Sequence, residues 1–186
     1  MSLRRGFKAD ANRLSLRLRR SLGLTPESPI DLNLIARRLD LVIAPLSSFA
    51  DVHPDLVHHL MRIDPGSFSA ATLPCGQNRR VLVHNDHHSR ERQRSDIAHE
   101  IAHLLLGHPF TLPIDTSGCR NIDRDIEDEA TWLGATILIS NEAAIYIVRA
   151  AMDTNTACQT YGVSAPMLRM RINASGAHIR VRRAYQ

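Results

Sequence analysis

Two histidines and a glutamate interrupt an apolar stretch of the chain, SDIAHEIAHLLLGH at residues 95–108. On an α-helix, at about 100° per residue, His99 and His103 lie about 40° apart and one turn from each other. Their imidazole rings therefore point the same way, as two ligands of one tetrahedral metal ion must. Glu100 lies on the other side of His103, poorly placed to bind the metal but close enough to reach a water molecule there. This H-E-x-x-H spacing predicts two zinc ligands and a general base.

The residues around the motif predict the central helix of the domain, over residues 89–107. Its apolar side chains cover an arc of roughly 200°, which is too wide for a helix with one face in solvent. Two unpaired imidazoles and a carboxylate would be costly in a helix that served packing alone. A metal site is therefore preferred over histidines buried for structural reasons.

A catalytic zinc ion needs a third protein ligand and one open position. The next acidic helix, DRDIEDEATWLGATILIS, offers Glu127 and Glu129. Glu127 shares its helix face with small residues, including Gly134, which would let the two helices approach closely. Glu129 shares a bulkier face with Trp132. We therefore prefer Glu127 as the third ligand and keep Glu129 as the alternative.

The remaining elements indicate an α+β domain, in which a small antiparallel sheet packs on the central H-E-x-x-H helix. Turn and periodicity signals predict helices at 7–22, 28–39, 54–63, 124–139 and 141–152, strands at 41–46, 67–73 and 79–85, and a loop at 109–123. The strands at 67–73 and 79–85 are expected to form a hairpin. We expect a zincin-like domain over residues 1–140 and a C-terminal helical element over residues 141–186.

Composition restricts the compartment. No apolar run approaches the roughly 20 residues that cross a membrane, and no secretory h-region follows the basic start MSLRRGFKAD. The three cysteines, Cys75, Cys119 and Cys158, are odd in number and far apart, which argues against a disulfide framework. These features favour the cytoplasm and no membrane partner.

Both ends of the chain are basic. Residues 1–20 carry seven basic side chains and one acid, and residues 166–186 carry five arginines and no acid. The C-terminal stretch ACQTYGVSAPMLRMRI is similar to the second half of a helix-turn-helix, which would present Arg169 and Arg171 to nucleic acid. A role in packing or substrate docking is preferred, because one weak motif and a basic tail are thin support for DNA binding.

The motifs together resemble those of the ImmA/IrrE-type zinc metallopeptidase family. GFKADANRLSLRLRRSLGL and SPIDLNLIARRLDLVI resemble its opening helices and strand, RVLVHNDHHSRERQRSDIAHEIAHLLLGH its active-site helix, and EDEATWLGATILIS its ligand helix. The chain departs from the family pattern at Thr131, where Asn or Asp is usual, and at Ser140, where Pro is usual. A threonine at this position is a weaker partner for a ligand histidine than a carboxylate.

The resemblance implies a gluzincin-like fold and cleavage of a helix-turn-helix repressor, often one encoded in the same operon. Such cleavage would derepress phage, mobile-element or stress-response genes. Zinc is the expected cofactor, with manganese as the alternative metal. The competing hypothesis is a metal-regulated module that binds DNA or a repressor without proteolysis.

A peptidase also needs a surface for the substrate backbone and an oxyanion donor. We expect an extended substrate to pair with an exposed edge strand at residues 79–85, which includes Val81, Val83 and Asn85. Candidates for the oxyanion donor are Tyr146, His108 and Tyr161. His84, His87 and His88 could bind a second metal, although a turn between strand and helix is preferred there.

Overall fold

The computed structural model describes residues 3–76, 79–109 and 123–184, and within them the fold is α+β and mostly helical. The helices are α1 (Phe7–Ser21), α2 (Leu32–Arg38), α3 (Pro54–His58), α4 (Arg90–Leu106), α5 (Arg124–Leu138), α6 (Asn141–Arg149), α7 (Thr154–Tyr161), α8 (Ala165–Ser175) and α9 (Ala177–Ala184). The strands are β1 (Leu41–Pro45), β2 (Ala70–Cys75) and β3 (Arg79–His84). A 3₁₀ turn (Leu46–Phe49) precedes α3, and a π-helical turn (His59–Ile63) follows it.

The sheet is mixed rather than antiparallel. Its order is β1-β3-β2, with β1 parallel to β3 and β2 antiparallel to it. The hairpin of β2 and β3 is therefore confirmed. β1 lies parallel to β3 because the chain reverses direction through the crossover segment, residues 46–69, to enter β2 and reverses again in the hairpin.

The strand order overturns the expectation that residues 79–85 form an exposed edge. β3 is the central strand, and its backbone is paired on both sides. Val81 and Val83 lie on the outer face of the sheet, in a small apolar cluster under residues 46–68. Asn85 lies just beyond β3, and its side-chain amide donates to Leu60 O at 2.9 Å and Phe68 O at 3.1 Å. These residues hold the sheet and the crossover together.

The main core lies between the inner face of the sheet and the helices α1, α4 and α5. Leu82 on the inner face is fully buried, as are Ala98 and Ile101 of α4 and Leu133 of α5. These residues belong to one apolar cluster that continues past residue 140 into α6, α7 and α8. The α4 helix is therefore central, as its wide apolar arc predicts.

Two polar side chains on α1 are buried beside its apolar ones. Ser15 donates to Thr136 O at 2.9 Å, and Arg19 donates to Ile137 O at 2.8 Å. Both residues are fully buried. They satisfy carbonyl groups at the end of α5, which has no further helical turn to supply partners.

The C-terminal element contains two helices, α7 and α8, joined by a short turn. The α7 helix ends at Gly162, whose φ of 60° suits glycine, and Ser164 caps α8 by accepting from Met167 N at 3.4 Å. Arg94 of α4 donates to Gly162 O at 3.2 Å and to Ile30 O at 3.0 Å, so the turn is attached to the central helix. The proposed boundary at residue 140 stays a prediction.

Two further expectations concern the loop predicted at 109–123 and the absence of a membrane-spanning helix. Most of the loop predicted at 109–123 lies outside the described residues, as does Cys119. Across the described ranges, no single helix has the length and hydropathy to cross a membrane, and one pair, α5 with α6, passes that test together across a 45° bend.

Candidate metal centre

The α4 helix positions both histidines and Glu100. It begins at Ser89, whose hydroxyl accepts from Arg92 N at 3.3 Å, and it ends at Gly107 in the left-handed region, with φ 68°. Its opposite side is buried in the core. The side chains of His99 and His103 lie on the less buried side, with exposed fractions of 26% and 20%. The rigid helix therefore fixes the direction of both rings.

The α5 helix brings Glu127, the candidate third ligand, next to α4. The two helices are so close at Gly134 that a Cβ atom there would lie 3.0 Å from the backbone nitrogen of His99. Ala130, one turn earlier, is fully buried against α4. The small face predicted beside Glu127 therefore permits the contact, and Glu127 lies at the exposed N-terminal end of α5.

Three side-chain atoms converge on one point. The His99 and His103 Nε2 atoms are 3.0 Å apart, and Glu127 Oε2 lies 3.2 Å from His99 Nε2. Glu127 Oε1 is 3.5 Å from His103 Nε2. Tetrahedral ligands with bonds of roughly 2.0–2.2 Å are separated by about 3.3–3.6 Å, so the donor set is close to the spacing that a zinc ion requires. Among the described residues, no other group of three His, Cys, Asp or Glu side chains meets this spacing.

The local electrostatics keep His103 in the form that binds metal. Burial, together with the nearby His99 and His108 rings, lowers the pKa of His103 to about 4. The His103 ring is therefore neutral at pH 7, and its lone pair is available. Two imidazole nitrogens and a carboxylate oxygen that face one another at about 3 Å favour a cation between them.

Glu100 is not one of the three converging side chains, and it contacts β2. Its Oε2 accepts a hydrogen bond from the Thr72 hydroxyl at 2.9 Å. Burial raises the pKa of Glu100, although the Thr72 hydrogen bond acts in the opposite direction. A carboxylate with a raised pKa next to a metal site is suited to accept a proton and release it again.

Each ligand histidine has a partner on its second nitrogen. His99 Nδ1 lies 3.3 Å from the Thr131 hydroxyl, so the threonine that departs from the family pattern still reaches the ligand ring. His103 Nδ1 lies 2.9 Å from His108 Nδ1. The sequence reasoning missed this contact, but Gly107 was a usable signal, because a left-handed residue after a helix turns the next side chain back toward it.

Glu129, the alternative ligand, has a different set of partners. Both of its carboxylate oxygens accept from Arg4 Nη1, at 3.1 and 3.0 Å, and Oε2 is 3.8 Å from His108 Nε2. The structure therefore brings Glu127, not Glu129, to the two ligand histidines.

The oxyanion candidates lie in different environments. Tyr161 is buried, and its hydroxyl donates to Glu27 O at 2.8 Å, which commits it to the fold. Tyr146 lies on α6, where the Arg149 guanidinium is 5.9 Å from the centre of its ring. Of the three candidates, only His108 contacts a residue of the triad, and it does so through His103.

The stretch HNDHH includes the end of β3 and the turn that leads to α4, which agrees with the preference for a turn over a second metal site. His88 Nε2 is 2.8 Å from Pro65 O, and His88 Nδ1 is 3.6 Å from Asp96 Oδ2. His84 is buried at the end of β3, and burial lowers its pKa. These residues anchor the crossover segment to α4 and do not form a second three-ligand group within the described part of the chain.

The two arginines that a DNA-binding role would use differ in exposure. Arg169 is exposed on α8, but Arg171 has an exposed fraction of only 1%. Arg171 Nε donates to Ile139 O at 2.9 Å, and Nη2 donates to Asn141 Oδ1 at 2.9 Å. Nucleic-acid contact by Arg171, the less favoured alternative, is therefore wrong, because its guanidinium joins α8 to the end of α5 and cannot reach a ligand in solvent.

Comparison with known protein families agrees with the geometry. The profile of the IrrE N-terminal-like domain, which defines a peptidase family, matches residues 40–173, well over half of the chain. A search of curated proteins finds no significant match. The matched range contains the ligand triad, Glu100 and the sheet.

Proposed function

Because this chain belongs to the IrrE N-terminal-like domain family of peptidases, we propose that it is a zinc-dependent endopeptidase that cleaves a helix-turn-helix transcriptional repressor. The observation that carries the proposal is the convergence of His99, His103 and Glu127, with Glu100 beside them. The family supports a metallopeptidase. The repressor substrate rests on the family resemblance, in which cleavage derepresses phage, mobile-element or stress-response genes.

A zinc ion in this site would act as a Lewis acid on the scissile carbonyl and lower the pKa of a water molecule toward about 7. His99 and His103 would hold the ion through Nε2, and Glu127 through its carboxylate. Two imidazoles and one carboxylate favour zinc, and manganese remains the alternative metal in the cell.

Glu100 performs the proton transfers. Its carboxylate accepts a proton from the attacking water, and the same group delivers that proton to the nitrogen of the leaving amine. The Thr72 hydroxyl holds Oε2, so the carboxylate is oriented before substrate binds. Burial, which raises its pKa, keeps the protonated form accessible for the second step.

The substrate backbone pairs with β2 in this proposal. Within the described residues β2 is paired on one side alone, by β3, and Thr72 of β2 contacts Glu100 directly. An extended peptide on the other side of β2 would thus run next to the general base, with main-chain hydrogen bonds supplying affinity.

The proposed substrate and the described cysteines agree with a cytoplasmic location. Cys75 and Cys158 are free thiols, as expected in a reducing compartment. DNA is not the favoured ligand. Of the two arginines that a DNA-binding role would use, Arg171 is buried and only Arg169 is exposed.

The test uses Glu100→Gln, which keeps shape and polarity but cannot accept the proton. The candidate substrate is any helix-turn-helix regulator encoded next to this gene, and it is incubated with zinc-loaded protein and analysed by intact mass. Glu100→Gln should keep its zinc and fold yet cleave about 10²- to 10⁴-fold more slowly, since general base catalysis commonly contributes that factor. Glu91→Gln, the same change at an exposed position of α4, should cleave like wild type.

The competing module without proteolysis makes the opposite prediction. It would relieve repression without fragments, and Glu100→Gln would leave that control intact. Wild-type protein that relieves repression under conditions where no fragment forms would refute the peptidase proposal, as would unchanged cleavage by Glu100→Gln.

A further inference from the structure

The second nitrogen of His103 faces an unusual partner, another imidazole. The His103 and His108 Nδ1 atoms are 2.9 Å apart, and their rings meet edge to face with centroids 5.0 Å apart. The left-handed turn at Gly107 makes the contact possible, since it lets His108 N donate to His103 O at 3.0 Å and turns the ring back over α4. The His108 side chain is only 10% exposed.

The contact determines where the protons lie. Two nitrogens at this distance must be one donor and one acceptor. If His103 gives its Nε2 lone pair to a metal ion, its Nδ1 carries the hydrogen and donates it. The Nδ1 atom of a neutral His108 must then accept, which leaves the hydrogen of His108 on Nε2.

The carboxylate of Glu129 lies near His108 Nε2. Its Oε2 atom is 3.8 Å from His108 Nε2, and its side chain is 13% exposed. Arg4, in the segment before α1, donates to both oxygens of the carboxylate. The negative charge is therefore held in place from one side by Arg4 and faces an N–H group on the other.

We propose that His108 and Glu129 are positioning residues that fix the Nδ1–H tautomer and the orientation of the ligand His103, and thereby strengthen metal binding. Outer partners of this kind commonly fix ligand tautomers and raise ligand basicity. Arg4 orients Glu129 and so connects the N-terminal segment to the centre. The inference rests on the proposed function only in taking His103 as a metal ligand.

The tautomers give a direct test on the wild-type protein. Long-range ¹H–¹⁵N correlation spectra of zinc-loaded protein with ¹⁵N-labelled histidine distinguish the two neutral forms of each ring. His103 should carry its hydrogen on Nδ1, and His108 should carry it on Nε2. A His108 ring with the hydrogen on Nδ1 would overturn the proposal, and so would a wild-type protein that binds no zinc.

Zinc competition with a chelator tests the energetic part. His108→Leu removes the acceptor and should weaken zinc binding by about 10- to 100-fold. His108→Asn should recover most of the affinity, because its amide oxygen lies near the position of the missing Nδ1 and can accept from His103. Glu129→Gln should lose less than His108→Leu. Asp125→Asn, which removes an exposed charge from the same helix, should bind like wild type.

Spectroscopy separates positioning from simple support of the fold. The d–d absorption bands of the cobalt-substituted protein should shift in His108→Leu and return in His108→Asn. A folded His108→Leu protein with wild-type zinc affinity and unchanged cobalt bands would refute the proposal. If His108→Leu does not fold, Glu129→Gln and the wild-type tautomers decide.

The two proposals fail in different ways. Zinc affinity, cobalt bands and tautomers are measured without substrate, so wild-type protein with the expected values but no cleavage would refute only the peptidase function. Normal cleavage with the opposite His108 tautomer would refute only the positioning role.

Discussion

Replacing Gly134 with alanine tests whether the close contact of α4 and α5 sets the geometry of the metal centre. A Cβ atom at this position would lie 3.0 Å from His99 N and 3.1 Å from the carbonyl carbon and oxygen of Ala98. Nonbonded carbon contacts are most favourable at about 3.5–4.0 Å. All three neighbours belong to the backbone of a buried helix and cannot rotate away. The α5 helix must therefore move outward by about 0.5 Å, by that comparison.

That displacement is large on the scale of a metal site. Glu127 lies seven residues before Gly134, two turns along the same helix face, so an outward shift of α5 carries its carboxylate away from His99 and His103. Metal–ligand distances tolerate only about 0.2 Å of error. We expect zinc affinity to fall by at least tenfold, comparable to the loss of an outer partner at about 10- to 100-fold.

The effect on folding is smaller because two contributions oppose each other. Alanine is favoured over glycine within a helix by about 1 kcal/mol, whereas overpacking a close helix contact costs about 1–3 kcal/mol. The free energy of unfolding should therefore fall by about 0–2 kcal/mol, by the difference of these two ranges. The protein should stay folded while its zinc affinity drops.

The assay is chelator competition for zinc, with urea unfolding measured on the same samples. Gly66→Ala is the matched control, because its Cβ would lie 3.6 Å from Asp64 Oδ1, an ordinary contact. That variant should bind zinc like wild type. If Gly134→Ala leaves zinc affinity unchanged, the contact at Gly134 does not constrain the site. The same conclusion follows if the free energy of unfolding rises by the full preference of a helix for alanine over glycine, about 1 kcal/mol.

Two further predictions concern the third ligand and the buried arginine. Glu127→Ala should weaken zinc binding by more than the roughly 10- to 100-fold that loss of an outer partner costs, and Glu129→Ala should weaken it less; the reverse order in a chelator competition would make Glu129 the ligand. Arg171→Met should lower the free energy of unfolding by about 1–3 kcal/mol, because Ile139 O loses a buried hydrogen bond. Arg169→Met, at an exposed position, should change it by no more than about 0.5 kcal/mol in urea unfolding, and equal effects would contradict the assignment.

The sequence predicts the centre of the site well because helical periodicity alone determines it. Residues four apart on a helix must share a face, so His99 and His103 needed no tertiary information. The preference for Glu127 required one more step, the small residues that let α5 approach α4. The close approach of the two helices at Gly134 agrees with this step. The structure also shows why Glu129 is not at the metal centre: its partners are Arg4 and His108, which no local sequence pattern could reveal.

The interior of α1 was not predictable from the same patterns. Hydrophobic periodicity gives no reason to bury polar residues such as Ser15 and Arg19, yet both are buried. Their partners, Thr136 O and Ile137 O, lie more than a hundred residues away in the sequence. A buried polar side chain is stable where such a partner exists, and the partner becomes visible only once α1 and α5 are packed together. The same reasoning accounts for Arg171, whose burial depends on the end of α5.

The strand order, in contrast to the buried polar residues, could have been predicted, because the positions of the prolines carry a signal that hydrophobic periodicity does not use. Proline has no N–H to give to a neighbouring strand, so it is confined to edge strands, to strand ends and to bulges. β1 ends in Pro45 and β2 contains Pro74, whereas β3 has no proline. That distribution places β3 in the centre and β1 and β2 at the edges, as the structure has them. Of the two edges, only β2 carries a residue bonded to the general base, through Thr72. We therefore propose β2, rather than β3, as the strand that the substrate would pair with.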